Sequence, residues 1–155
     1  LKQYNNRWFL LGYNPEFDDL SIVALDRIEA VNYADITFKR NLNYDFDAYF
    51  RDILGVSIEK GKEVERICLK FSANRLPYVI SKPLHYSQVV EDEKEGIVTL
   101  DLIPNKELIS DLIWFRDDVE VLSPDSLREE IKDIISKMYK KQRSQSGNLG
   151  NCNKS

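Results

Sequence analysis

Beyond residue 64 the spacing of apolar side chains switches repeatedly between a period of two and a period near 3.6, and this order constrains the fold more than any other feature of the chain. Residues 64–71 (VERICLKF) alternate around Ile67, Leu69 and Phe71, the signature of a half-buried strand. Residues 74–81 fit a short helix, and 85–91 and 97–103 fit two strands joined by an acidic turn that ends in Gly96. Asn105 then stands where a helix cap is needed, ahead of a stripe of Leu108, Ile109, Leu112, Ile113 and Phe115, and 119–122 is again a short strand. The last helix opens on Ser123 as cap, Pro124 at the first helical position and Asp125 in the first turn, with a stripe of Leu127, Ile131, Ile134 and Met138. The order is strand, helix, strand, strand, helix, strand, helix.

The first third of the chain is different. Residues 1–4 and 7–13 flank Asn5-Asn6, residues that tolerate the positive φ of a two-residue hairpin turn. The second of these runs, RWFLLGY, is so aromatic and unbroken that burial between neighbours on both sides is expected. Residues 20–25 and 28–33 are further strand-like runs, which implies a small sheet or barrel. Residues 45–55 place Phe46, Tyr49, Phe50 and Ile53 on one helical stripe, with acids in the first turn and a glycine stop. The polar residues around 60–63 mark a domain seam, so that 1–60 and 64–142 read as two units and 144–155, rich in Lys, Gln, Ser, Gly and Asn, as a flexible tail.

With 155 residues, 43% of them hydrophobic and 31% charged, the balance is that of a globular chain. A net charge of −4 gives nucleic acid no general attraction, so an anion site must be a local patch. Two isolated cysteines, Cys68 and Cys152, and no apolar run near the roughly eighteen residues of a membrane span suggest a cytoplasmic protein. His85 is the only histidine, and a loop position outside any chemistry is its commoner fate. The acidic pairs Asp92-Glu93 and Asp117-Asp118 fall at turns, where charges are usually only solvated. No phosphate loop, nucleophile elbow or paired metal ligands occur, so neither an enzyme nor a cofactor is expected. For a nucleic-acid ligand, aromatics beside basic groups are the relevant pattern, and Arg7-Trp8, Tyr13 and Arg27 qualify by type. The competing assignment is that Trp8, Phe9 and Leu10 are core and that Arg27 is neutralised by Asp26 or Glu29.

Several motifs in order, Arg7-Trp8-Phe9-Leu10, Ala24-Leu25-Asp26-Arg27-Ile28, Pro83-Leu84-His85-Tyr86-Ser87-Gln88, Val119-Glu120-Val121-Leu122-Ser123-Pro124 and Leu127-Arg128-Glu129, give a chain that resembles the WYL-domain family of bacterial transcriptional regulators. The resemblance implies an α+β fold: a partial Sm-like, SH3-type small β-barrel followed by a ferredoxin-like βαββαβ domain with an extra C-terminal helix. It also implies that the chain is a fragment lacking a DNA-reading helix-turn-helix domain and the first barrel strands, with RWFLLGY as an inner barrel strand. Its expected partners are an anionic effector on the barrel, either nucleic acid (single-stranded DNA included) or a nucleotide, and a second subunit in a homodimer. The ligand-binding residues carried over are Trp8 and Phe9 of the signature and Arg27, with Arg7 and Tyr13 beside them. Where relatives often have a basic residue before the leucine, this chain has Ala24, so a polyanion is held by fewer charges. The alternative is a homodimerisation or protein-interaction module with no small effector, marked by an open apolar strip.

Overall fold

A computed structural model describes residues 1–17, 19–35, 37, 44–59 and 61–144, with residue 144 as backbone only. The tail beyond it lies outside the described residues. The structure is mixed α/β, with two antiparallel sheets. The first contains β1 (Lys2–Tyr4), β2 (Arg7–Asn14) and β3 (Asp19–Ala24) in the order β1-β2-β3. Asn5 and Asn6 take φ of 47° and 59°, so the two-residue turn forms as its asparagines require. Register follows from it, with Tyr4 opposite Arg7 and Lys2 opposite Phe9.

β1 and β3 pair only with β2, so the expected small sheet forms, with no closed barrel among the described residues. Two expectations for this part do not hold. RWFLLGY is not enclosed: β1 and β3 flank it, but Trp8 is 47% and Tyr13 58% exposed, and Leu10 is exposed as well. An antiparallel meander needs only one covered face, so Phe9 and Leu11 turn inward while Trp8 and Leu10 face solvent. Residues 28–33 form no strand; Val31 and Tyr33 stand in solvent, and β-branched residues without a ladder partner do not make a strand.

The short helix α1 (Phe46–Arg51) is capped by Asp45, whose carboxylate accepts from the Asp47 and Ala48 amides at 3.0 and 3.1 Å. It ends earlier than its stripe suggests, and Ile53, Leu54 and Val56 after it are buried. The second sheet has β4 (Glu65–Phe71), β5 (Val89–Asp92), β6 (Ile97–Leu102) and β7 (Val119–Ser123) in the order β5-β6-β4-β7. The helices are α2 (Leu76–Ser81), α3 (Lys106–Trp114) and α4 (Asp125–Ser144). Ile67, Leu69 and Phe71 of β4, Val98, Leu100 and Leu102 of β6 and Val121 of β7 form one apolar face. Helix residues Leu76, Val79, Leu108, Leu112, Phe115 and Leu127 cover it, and Leu54 joins them. Met138, expected in that core, is 50% exposed because α4 runs past the sheet.

Residues 85–88 form a turn rather than the start of a strand, because their side chains are used locally. The Gln88 amide donates to the His85 carbonyl at 3.1 Å, and the Gln88 side chain donates to Val79 O at 2.9 Å and accepts from Leu84 N at 2.9 Å. Asp118 is more than solvated: it accepts from Ser72 Oγ at 2.6 Å and from Arg75 Nε and Nη2 at 3.2 and 3.0 Å, which holds its carboxyl below the usual range.

Candidate functional site

Antiparallel register puts Phe9 opposite Ala24 and Leu11 opposite Ile22, so the inward face of β2 and β3 presents Arg7, Phe9, Ile22 and Ala24 together. A single turn of 3₁₀ helix, Leu25–Arg27, follows β3 and carries Arg27 to the same side. Tyr4 and Asn5 of the hairpin, Val56, Ser57 and Glu107 of α3 complete a cleft of about 400 Å³. Arg7, Phe9 and Arg27 are thereby brought together. Trp8 points to the opposite face of β2, and Tyr13 sits near the far end of the strand, outside the cleft lining.

The two arginines differ. Arg7 Nη2 lies 3.0 Å from Asp26 Oδ2, with both side chains about half exposed. Asp26 is thus engaged by Arg7, and among the described residues Arg27 has neither a hydrogen bond nor an ion pair. The opposite wall is acidic. Glu107 Oε1 accepts from Ser57 Oγ at 2.8 Å, Ser57 N at 3.1 Å and Val56 N at 3.4 Å, and its Oε2 is buried with no hydrogen-bond partner. Burial raises the Tyr4 phenol above its ordinary value, and the charges of Asp111 and Glu107 add to the rise. A cleft whose wall carries the Arg27 guanidinium, without a partner among the described residues, suits a ligand that bears an anion.

Glu107 was not legible as a cleft residue. In sequence it is an ordinary first-turn acid of a helix, and its partners lie about fifty positions away. The same applies to Ser57 and Tyr4.

His85 lies in a turn, as expected, but it is buried rather than at the surface. Nε2 donates to the Arg51 carbonyl at 2.8 Å, which leaves Nδ1 as acceptor facing Ser87 Oγ at 2.7 Å. Burial pulls its pKa down, opposed by the Arg51 carbonyl and by Asp52. Its role is a tie between segments. Among the described residues no group of His, Cys, Asp and Glu is placed to hold a metal ion, and no helix is long and apolar enough to cross a membrane.

No curated protein matches the chain. Among solved structures it is similar to Proteasome accessory factor B/C (PafBC) of Arthrobacter aurescens, with 16% identity and a TM-score of 0.35 over 81% of this chain and 19% of that one. The chain thus spans 19% of that protein's length, and a likeness at this TM-score carries no argument. The family comparison is more direct, because the model of the WCX domain matches residues 63–139, the segment whose order of strands and helices is described above. Residues 63–139 are therefore similar to the WCX domain, the C-terminal domain that accompanies WYL.

Proposed function

We propose that the chain is the sensing and dimerisation portion of a bacterial transcriptional regulator, in which the cleft beside Arg27 takes an anionic effector, a nucleic acid or a nucleotide. The observation that carries this is the Arg27 guanidinium, unpaired among the described residues, on the wall of a cleft of about 400 Å³. Arg27 pairs with a phosphate, Arg7 adds charge from its position beside Asp26, and Phe9 packs behind the ligand. Binding shifts the arrangement of subunits and, through it, a DNA-reading helix-turn-helix domain. The setting is cytoplasmic. The sheet order β5-β6-β4-β7 with helices over one face supports a ferredoxin-like assignment for 64–142, and the β1-β2-β3 meander supports part of an Sm-like barrel for 1–60.

Titration with short single-stranded oligonucleotides and with mononucleotides tests the reading. Arg27→Ala is expected to weaken binding roughly tenfold to a hundredfold, the loss of one charge-assisted contact. Trp8→Ala, on the other face of β2, is expected to leave it unchanged. Equal affinity of wild type and Arg27→Ala removes the effector site from this cleft. The second reading, an interaction module without a small effector, is favoured by the exposed apolar side chains of α4.

A further inference from the structure

In its second half α4 leaves the body of the molecule. Leu127 is buried and Ile131 and Ile134 pack against the core, but every described side chain from Ile135 onward is exposed. Ile135, Met138 and Tyr139 continue the same stripe at helical spacing and are 53%, 50% and 63% exposed. They form one side of an apolar groove of about 560 Å³, whose other side is Leu112 and Ile113 of α3 with Val119 and Val121 of β7. A helical overhang gains little from propensity or from exposed ion pairs such as Lys137 with Asp133, so an open stripe of this kind lacks the packing that normally holds a helix.

The charge on α4 is divided along its length. Residues 125–133 carry Asp125, Glu129, Glu130 and Asp133 against Arg128 and Lys132, whereas residues 134–143 carry Lys137, Lys140, Lys141 and Arg143 and no acid. Two parallel copies would place like halves together. Two antiparallel copies place each acidic half beside a basic half, with the stripes facing and each overhang lying over the groove of the other subunit. Such an arrangement is self-complementary and closes as a twofold dimer, with no open surface left to propagate. We propose that the α4 overhang and the groove beside it form the surface on which a second copy of this chain docks, with the two α4 helices antiparallel. The inference shares the dimer with the reading above but needs no effector.

Sedimentation velocity of the unliganded chain over a wide concentration range tests it. Wild type is expected to self-associate reversibly, and Met138→Glu to weaken association by at least about 30-fold, the loss typical of a central interface residue, with an unchanged far-ultraviolet spectrum. Tyr139→Ala serves as a second variant if the buried charge disturbs the helix. Lys140→Glu with Lys141→Glu is expected to weaken the dimer, and adding Glu129→Lys with Glu130→Lys in the same chain to restore it. A wild type that remains monomeric, a dimer indifferent to Met138→Glu and Tyr139→Ala, or no recovery in the fourfold charge variant would each overturn the proposal. Because no ligand is present, loss of the effector site through Arg27 leaves this result untouched.

Discussion

Single residues with no freedom hold the C-terminal domain together. Gly96 has φ of +73°, and a Cβ there would stand 2.2 Å from the Phe71 carbonyl oxygen. Its own carbonyl accepts from Phe71 N at 2.9 Å, so the strand cannot move aside without losing that bond. Gly96→Ala is expected to cost at least about 2 kcal/mol in urea unfolding, combining the left-handed penalty with the clash. Asn105 is fully buried and has two tasks. Oδ1 caps α3 by accepting from Leu108 N at 3.0 Å, while Nδ2 donates to Leu54 O at 2.7 Å and Ser57 O at 2.9 Å. Asn105→Ala removes all three and is expected to destabilise by roughly 2 to 4 kcal/mol, well beyond the ~1 kcal/mol of a cap alone. The cap was legible in the sequence because it is local. The tie to 54–57 was not, since nothing near Asn105 specifies a partner fifty positions earlier.

Among elements, those defined by their own periodicity formed where the sequence placed them, and those that depended on a neighbour did not. β4, β6, α3 and β7 have both the period and a partner, and they match the expected spans closely. Residues 28–33 have the composition of a strand but no adjacent strand among the described residues, and 85–88 have strand composition but spend their polar groups on a turn. That turn joins two elements through His85, which links the Arg51 carbonyl at the end of α1 to Ser87, whose hydroxyl oxygen in turn accepts from Asp101 N at 2.9 Å. Because the folded pKa of His85 lies below 6.5, the unfolded chain takes up the proton first as pH falls. Stability is therefore full above about pH 6.5 and declines below it until the folded imidazole also protonates. Urea midpoints measured downward from neutral pH are expected to fall over that window, and His85→Gln is expected to lose this contribution; a wild-type profile that stays flat there refutes the assignment.

On the scale of the whole molecule, stability is distributed unevenly. Apart from Leu54, every residue of the main core lies within residues 63–139, the segment similar to the WCX domain, and Ala24 is the one buried side chain among the described residues of β1, β2 and β3. Each fully buried large aliphatic side chain contributes roughly 1.5 to 3 kcal/mol, so the first sheet rests on ladder hydrogen bonds and half-covered contacts. Amides of β2 and β3 are expected to exchange with solvent well before those of β4 and β6 in native-state hydrogen exchange. A ligand held at Arg27 in the proposed cleft, which Val56, Ser57 and Glu107 also line, would bridge the first sheet to the rest of the chain, and protection of β2 is then expected to rise on binding. Comparable protection of both sheets without ligand would show that the first sheet needs no such bridge.

The sequence by itself determined what local physics can specify: the hairpin turn at Asn5-Asn6, the apolar face of β4, the cap at Asn105, and the order of strands and helices over residues 63–139. Only the tertiary structure decided which face of β2 is wetted, that Asp26 engages Arg7 and leaves Arg27 open, and that Glu107 closes the cleft. The division has a physical cause. Periodicity, capping and turn conformation are read within a few residues, whereas burial and charge pairing depend on which distant segments the folded chain brings side by side.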